Sequence, residues 1–489
     1  MRNRFEKQLT IGRKPISETP VFTNSRDDVP PLVQALLLIY NTPKYSNQIF
    51  NILEDSIMQG KHNTGRTGLN FWQIFVLSQF RLALNIDYDR LHYMTQSDSV
   101  LRQLLGIENE PTYDRIDLTY QRILDNVHLL DDSTLLKIND IIVSFGHNEV
   151  FKKKGKAILS VKTDSFVVES NVHFPTDYNL LWDASRKLIN VIDWFTNKYP
   201  SVEGWRKSQN WYSTLKNLSR AVGQASSAGG KGKAERLLKA AQSYVTKASA
   251  LSQKINQIKD KLPASDISDI IKLLELDQFL NLLDKHIDLV ERRLVNGESI
   301  PHKEKLFSLF EQYTEWITKG KSRPSVELGK KLSITTDQFG LIIDYKIMEN
   351  EMDSEIVLET ADRVTSKYHI NSWSFDKGYW HKDSKWLLNT VVPLVIMPKK
   401  GKRNKQETEE EHTIKFLKLR NKHSAVESSI NELEHSGLGR CADKGYHGFK
   451  RYIGMGVVAH NLKRIGRELI KQAKETDNKQ NENLVLAVA

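Results

Sequence analysis

Three acidic residues stand where a carboxylate is either costly or unusually exposed. Asp164 interrupts an otherwise apolar and β-branched run, AILSVKTDSFVVES, where a lone carboxylate needs a metal or a partner to offset its burial. Asp376 closes a second strand-like segment just before Lys-Gly-Tyr, whose glycine allows a tight turn. Glu427 lies in RNKHSAVESSINELE among small residues that permit close approach. Carboxylates from separate elements are the ligands of hard divalent cations, and two such ions can activate an attacking oxygen and stabilise a leaving one.

Each of the three also has an ordinary interpretation, because a strand-end Asp is often a turn former or a cap and a helical Glu is usually just solvated. Other carboxylates compete with them. Capping, turn or surface roles suffice for these rivals: Asp177 as an N-cap after Pro-Thr, Asp183 on a helix face, Asp337 and Asp344 in a hairpin, and Glu432 and Glu434 on the helix of Glu427.

The first 150 residues are predicted to be mostly helical. FWQIFVLSQFRLAL, at 71–84, is an apolar run of helical length, and Asp87 is placed to cap a second amphipathic segment. Short helices in succession can form a helix-turn-helix that grips DNA. A small helical bundle without a ligand is the alternative.

The carboxylates fall in segments that alternate between strand and helix. The pattern predicts a bent strand or hairpin at 157–170, a hairpin at 332–348 turning near 337–340, a helix at about 354–367, a short strand at 373–376, a buried strand at 391–398 and an amphipathic helix from Glu411 to Glu434 that Gly437 ends. Pro393 favours an edge or the start of its strand. Together these elements indicate an α/β core.

A long helical block separates the first strand from the hairpin. It extends from about residue 178 to 325, and SSAGGKGK at 226–233 has the composition of a flexible linker. Residues 231–262 carry eight basic residues against Glu235 and Asp260. A solvated helix face explains most such runs, and an arm that faces DNA is the sharper alternative.

Composition limits the class of protein. The 71 Lys and Arg exceed the 60 Asp and Glu, and a net charge of +11 suits a polyanionic partner. The single cysteine, Cys441, cannot form an intramolecular disulfide or a cysteine zinc site, so we expect a reducing, cytoplasmic location. No secretory signal, membrane-spanning stretch or phosphate-cradling Gly-rich motif is recognised, so we expect no membrane association and no ATP-driven activity.

Three long blocks resemble the catalytic blocks of bacterial insertion-sequence transposases with a DDE, RNase H-like domain. They are TDSFVVESNVHFPTDYNLLWDASRKL at 163–188, FDKGYW at 375–380, and KHSAVESSINELEHSGLGRC at 422–441 continued by DKGYHGFKRYIGMGVVAHNLKRIG at 443–466. GRTGLNFWQIFVLSQFRLALNIDYDRLHYM, at 65–94, also resembles the helical domain that precedes the catalytic one. The resemblance covers most of the chain outside the helical block.

The resemblance implies that Asp164, Asp376 and Glu427 are the catalytic residues of a DNA transposase and hold its metal ions, Mg²⁺ with Mn²⁺ as a substitute. Such an enzyme cleaves at the ends of its element and joins the freed 3′-hydroxyl to target DNA. The expected partners are double-stranded DNA, as terminal inverted repeats and target, and further copies of the chain in a dimeric or larger synaptic complex at the bacterial nucleoid. The alternatives are a metal-dependent nuclease of the same fold and a non-catalytic DNA-binding protein derived from a transposase.

Two groups of residues are candidates for contact with DNA. The first group is Arg420 and His423, which by the resemblance stand where one transposase subgroup has the Tyr and Arg that hold terminal phosphates. Glu434 stands at that subgroup's Lys position and departs from its pattern. The second group is a basic loop that can track the phosphate backbone or remain a plain surface loop: Lys399, Lys400, Lys402, Arg403 and Lys405.

The predicted fold is therefore of the α/β class, with an RNase H-like catalytic core that an all-α insertion interrupts and an all-α N-terminal domain precedes. The expected divisions are a helical DNA-binding domain at 1–150, the first part of the catalytic domain at 151–190, the insertion at 191–327, the second part of the catalytic domain at 328–470, and a polar tail at 471–489.

Overall fold

The computed structural model describes residues 4, 11–60, 68–151, 158–318 and 325–488, with side chains as far as 478. Arg66 and Thr67 of the N-terminal motif and Ala157 of the predicted first strand lie outside these ranges. The chain divides into two compact units, one formed by Met1–Asn171 with Ile317–Ala489 and the other by Val172–Trp316. Within the described ranges, no helix is both long enough and apolar enough to cross a bilayer.

The N-terminal part of the first unit consists of helices, as predicted: α1 (Val29–Tyr40), α2 (Pro43–Met58), α3 (Phe71–Ala83), α4 (Tyr88–Ser97), α5 (Ser99–Leu104), α6 (Tyr120–Val127) and α7 (Asp132–Phe145). Helix α3 begins at a capping box in which Asn70 and Gln73 satisfy each other's backbone N–H groups. The predicted cap at Asp87 is confirmed, since its carboxylate accepts a hydrogen bond from the Arg90 N–H at 2.7 Å.

The second unit is helical and is described by itself. Its helices are α8 (Asp177–Lys198), α9 (Ser208–Ser227), α10 (Lys233–Lys259) and α11 (Ile267–Val290). They share one apolar core, in which Leu188, Leu215, Tyr244 and Leu283 are fully buried. The expected division between 190 and 191 therefore falls inside α8, which continues to Lys198.

The first unit contains a six-stranded mixed sheet, so the α/β class is confirmed. Its strands are β1 (Leu159–Glu169), β2 (Glu315–Thr318), β3 (Val326–Thr336), β4 (Ile342–Ile347), β5 (Ile370–Phe375) and β6 (Val395–Ile396). The order is β2-β3-β1-β5-β6, with β4 also paired to β3. Strand β1 lies between β3, to which it is antiparallel, and β5, to which it is parallel, and β5 is parallel to β6.

The strands agree with the sequence in part. The hairpin at 332–348 is confirmed, because β3 and β4 are antiparallel and the Asp337 carboxylate accepts the N–H groups of Phe339 and Leu341 at 2.8 and 2.9 Å. The bent strand or hairpin expected at 157–170 is instead one eleven-residue strand. The strand expected at 391–398 is only the two residues of β6, because the preceding helix continues to Val391 and Pro393 has no N–H to donate to a ladder.

The helices that follow the sheet are α12 (Val357–Thr365), α13 (Lys382–Val391), α14 (Lys405–Glu411), α15 (Ile414–Lys422), α16 (Ser424–Leu433) and α17 (Gly445–Val488). The single helix expected from Glu411 to Glu434 is wrong. Thr413 caps α15 and so starts a new helix, and α15 ends at Lys422, with His423 as the junction before α16 begins at Ser424. The π-helical turn after α16 runs from Glu434 to Leu438, and Gly437, with φ +102°, breaks the helical conformation within it.

Helix α17 joins the two ends of the chain into one unit. It packs against α1, α3 and α7. Asp443 is buried between Arg81 and Arg451, with N–O distances of 2.6 and 3.1 Å. These contacts group the first 150 residues with the sheet. The residues expected to form a polar tail from 471 continue the backbone of α17 as far as Val488.

Candidate active site

The sheet brings Asp164 and Asp376 to neighbouring positions on parallel strands. The last parallel pair between β1 and β5 joins Thr163 to Phe375, and each aspartate is the next residue in its strand direction. Adjacent strands are about 4.8 Å apart, and corresponding residues of parallel strands point to the same face. The carboxylate of Asp376 also accepts a weak hydrogen bond from the Gly378 N–H at 3.5 Å, which caps the short turn after β5.

Glu427 lies on a helix that packs against the strand of Asp164. Helix α16, which carries it, packs against β1. One turn earlier on the chain, His423 contacts β5 through a 3.0 Å hydrogen bond between its Nδ1 and the Ser374 hydroxyl. Ser374 and Asp376 are two residues apart, so both lie on the face of β5 that α16 approaches. Glu427 itself is exposed.

The electrostatic surroundings of Asp164 depend on the same residues. Burial, followed by the negative charges of Asp376, Asp353 and Glu427, raises the pKa of the Asp164 carboxyl to about 7, against the opposing hydrogen bond from the Ser165 N–H at 2.8 Å. Among the described residues, neither Asp164 nor Asp376 nor Glu427 forms an ion pair with a Lys, Arg or His. The described residues thus surround Asp164 with negative charge, and of the carboxylates named here Asp353 alone has a described ion-pair partner, Lys331.

These carboxylates approach one another without closing into a coordination sphere. In the part of the chain that the structure describes, no three His, Cys, Asp or Glu side chains are arranged as a finished metal-holding group. The donor chemistry nevertheless fits a hard divalent cation, because the three candidates offer only carboxylate oxygens and lack a competing cation.

His423 has an environment unlike that of a phosphate-binding cation. Burial lowers the pKa of its imidazole to about 4, and the nearby charge of Lys162 lowers it further while that of Asp376 opposes the shift. At neutral pH the ring is therefore uncharged. Its Nε2 is buried without a hydrogen-bond partner. Arg420, the other residue carried over from the resemblance, is exposed on α15.

The basic loop after β6 is partly neutralised by α14. The ammonium of Lys399 lies 2.7 Å from both carboxylate oxygens of Glu407, and the guanidinium of Arg403 lies 2.7 Å from the carboxylate of Glu411. Lys400 and Lys402 are exposed; Lys405 begins α14. Lys399 and Arg403 therefore support the local fold, and Lys400, Lys402 and Lys405 remain exposed to a polyanion.

The rival carboxylates have structural contacts. The N-cap of α8 is Thr176, so the cap expected at Asp177 is wrong; Asp177 is the first helical residue and pairs with Arg293. Asp183 lies on α8 as predicted and pairs with Arg186 at 2.9 Å. The remaining partners are His147 for Asp337, Arg363 for Asp344, and Arg467 for Glu432, while Glu434 is exposed in the π-helical turn after α16.

Asp353 is a residue of this site that the sequence did not reveal. It lies in the polar segment between β4 and α12, accepts a 2.7 Å hydrogen bond from the Ser165 hydroxyl, and lies 3.3 Å from the ammonium of Lys331. The surrounding sequence, ENEMDSE, has no strand or helix periodicity and so gives no signal for it. Only the folded sheet places it against Ser165, the neighbour of Asp164.

Comparison of the chain with protein-family models, with curated proteins and with solved structures found no match.

Proposed function

We propose that this chain is a DDE-type DNA transposase that uses divalent metal ions to cleave the ends of an insertion element and to join the freed 3′-hydroxyl to target DNA. One observation carries the proposal. Asp164 on β1 and Asp376 directly after β5 each follow the last parallel residue pair, Thr163 with Phe375. The helix of Glu427 packs against β1, and among the described residues none of the three carboxylates has an ion-pair partner.

The proposed roles follow from these positions. Asp164, held in the ladder of β1, and Asp376, directly after β5, would bind Mg²⁺, or Mn²⁺ as a substitute, from the sheet side of the site. Glu427, on a helix face exposed to solvent, would complete the ligand set from the side that DNA approaches. When bound, two such ions supply activation of the attacking oxygen and charge neutralisation at the leaving oxygen.

The protonation of Asp164 sets the conditions for metal binding. Because its pKa is raised to about 7, this carboxyl carries a proton in a substantial fraction of molecules near neutral pH. Only the deprotonated carboxylate binds a metal, so binding releases a proton and strengthens as the pH rises through 7. The neighbouring carboxylates favour the bound state, since the ion removes their mutual repulsion.

Several properties support DNA as the substrate. The net charge of +11, the exposed Arg420, and the exposed Lys400 and Lys402 favour a polyanion. We further propose that the sheet and its helices form an RNase H-like core, that the helical unit is an insertion into it, and that α1–α7 contribute to DNA binding. A dimer or larger assembly at the bacterial nucleoid follows from the need to hold two DNA ends together.

The test uses the full chain with duplexes carrying labelled element ends and either Mg²⁺ or Mn²⁺. Wild type is compared with Asp164→Asn, Asp376→Asn and Glu427→Gln. Two further variants serve as controls: Asp383→Asn on the exposed face of α13, and Glu434→Gln at an exposed glutamate in the turn that follows the helix of Glu427. We expect cleavage and strand transfer by wild type and both controls and loss of both in the three site variants. Cleavage by any site variant at the wild-type rate would remove that residue from the site.

A second candidate function is a non-catalytic DNA-binding protein derived from a transposase. It is favoured by the lack of a closed metal-holding group among the described residues. It predicts DNA binding that is unaffected by Mg²⁺ and no cleavage in any variant. A nuclease of the same fold predicts cleavage without joining, which a donor duplex that already has a free 3′-hydroxyl distinguishes.

A further inference from the structure

We infer that Asp353 is a positioning residue that fixes the relative placement of Asp164 and Asp376 by contacting both of the segments that carry them. The inference rests on the proposed function, because it assigns a role within the same site. Asp353 belongs to none of the sequence blocks that carry the other site residues, and it comes from the polar segment between β4 and α12.

The first contact is with the strand of Asp164. One carboxylate oxygen of Asp353 accepts a 2.7 Å hydrogen bond from the Ser165 hydroxyl, and the Ser165 N–H donates a 2.8 Å hydrogen bond to the Asp164 carboxylate. Ser165 and Asp164 point to opposite faces of β1, as consecutive strand residues do. Asp353 therefore holds the residue whose backbone orients the Asp164 carboxylate.

The second contact is with the turn of Asp376. The other carboxylate oxygen of Asp353 lies where a β-carbon on Gly378 would be only 3.1 Å away, so the turn after β5 passes close against it. The next residue, Tyr379, is buried, and its hydroxyl lies 3.2 Å from that of Ser333 on β3. A methyl group at position 378 would therefore force the Asp353 carboxylate or the turn to shift by a few tenths of an ångström, and the buried Tyr379 anchors the turn in the core.

The charge of Asp353 is only partly balanced. Lys331 lies 3.3 Å from the oxygen that faces Gly378. The residual negative charge of Asp353 is one of the influences that raise the pKa of Asp164, after burial and the charge of Asp376. Asp353 does not need to touch a metal ion or DNA for this role. Its oxygens are already occupied by Ser165 and Lys331.

The role has a structural test that needs neither metal nor DNA. Gly378→Ala adds a methyl group against Asp353, so we expect it to lower the Tm of the wild-type protein by a few degrees. In an Asp353→Ala background the opposing oxygen is absent, and the same change should lower the Tm by clearly less. Strictly additive effects of the two substitutions would overturn the contact on which the inference rests.

The functional test measures binding of Mn²⁺ alone by electron paramagnetic resonance, beside kcat and KM for cleavage. Loss of residues that orient ligands costs about 10–100-fold in metal affinity or activity, and we expect Asp353→Ala to weaken Mn²⁺ binding and to lower kcat within that range. KM for DNA should stay within about twofold of the wild-type value, because the residue does not face DNA. Asp353→Asn keeps an acceptor for Ser165 and should restore most of the loss, and Asp383→Asn should resemble wild type.

The outcomes separate the two proposals. Mn²⁺ binding that Asp353→Ala weakens, in a protein that does not cleave DNA, would support the positioning role and reject transposition. Cleavage by wild type with unchanged Mn²⁺ affinity and kcat in Asp353→Ala would support transposition and reject the positioning role. Failure of the wild-type protein to bind Mn²⁺ would overturn both.

Discussion

Two aspartates, one in each unit, have contrasting electrostatic environments. Asp269 of the helical unit is fully buried, and it receives hydrogen bonds from the ammonium of Lys198 at 2.6 Å and the hydroxyl of Tyr199 at 2.7 Å. Burial opposes its charge, but Lys198 and the other donors lower the pKa of its carboxyl below the ordinary value. Asp164 of the sheet unit is half-buried, has no ion-pair partner among the described residues, and has its pKa raised to about 7.

The difference distinguishes a structural carboxylate from one that awaits a ligand. Where a buried charge serves stability, this chain builds the counter-charge and the hydrogen bonds into the fold, as it also does for Asp443 between two arginines. At Asp164 it instead adds further negative charge from Asp376 and Glu427. Such an arrangement costs stability in the free protein and favours a divalent cation supplied from solution.

The largest expected effect concerns activity. Asp164→Asn should reduce DNA cleavage by at least about a thousand-fold, because metal activation contributes several kcal/mol to the barrier and each 1.36 kcal/mol is a factor of ten. Asp383→Asn, an exposed carboxylate of the same unit, should cleave at the wild-type rate. Single-turnover cleavage of labelled DNA ends measures both. A comparable loss of cleavage rate in the two variants would show that Asp164 is no more important for cleavage than an exposed carboxylate.

The next effect is on thermal stability and has opposite signs at the two aspartates. Asp269→Ala removes the buried acceptor of the Tyr199 hydroxyl and of the N–H groups of Ser265 and Asp266, although Lys198 keeps its ion pair with Asp266. We therefore expect the Tm of the helical unit to fall by several degrees. Asp164→Asn removes a repelled charge and should keep or raise the Tm of the sheet unit at pH 8 in the presence of a chelator. Differential scanning calorimetry of the full chain measures both. Equal destabilisation would show that Asp164 is a structural residue like Asp269.

The pH dependence of stability sharpens the comparison. The pKa of Asp164 is about 7 in the folded state and near 4 when unfolded, so its contribution to stability is fully present below pH 4 and is lost as the pH rises to 7. The stability of wild type relative to Asp164→Asn should therefore fall by on the order of a few kcal/mol over this interval. Urea unfolding at a series of pH values without divalent ions measures the difference. Parallel profiles for the two proteins would contradict it.

The smallest effect concerns the basic loop. Lys400→Gln and Lys402→Gln should each reduce the slope of log affinity for DNA against log salt by about one, as expected for a lost phosphate contact. Lys399→Gln and Arg403→Gln should change the slope less, because these residues already pair with Glu407 and Glu411. Titrations of DNA at several salt concentrations decide between them, and equal changes in all four variants would show that the ion pairs open on binding.

The local parts of this account were predictable from the sequence. Apolar periodicity gave α3, and turn chemistry gave the hairpin, where Asp337 satisfies two backbone N–H groups and Gly340 adopts φ +80°. The candidate trio came from the residue types and from the resemblance, and the sheet then placed Asp164 beside Asp376. These signals are carried within a few residues along the chain.

The remaining parts depend on contacts between distant residues. Arg81 meets Asp443 across 362 positions, so no local pattern indicates that the first helices share a unit with the last. Asp353 acquires its role only through Ser165, 188 positions away. The helix expected from Glu411 is delayed by a threonine cap at residue 413 and broken again at His423 between α15 and α16, and the amphipathic periodicity obscured both positions.

Anomalous diffraction from crystals of the full chain soaked in Mn²⁺ tests the central claim most directly. We expect a peak roughly 2 Å from carboxylate oxygens of both Asp164 and Asp376, with Glu427 turned towards it, and no peak at the ion-paired Asp269. Occupancy at Asp164 should rise between pH 6 and 8 as the carboxyl loses its proton. A map with Mn²⁺ at other carboxylates and none beside Asp164 and Asp376 would contradict the account.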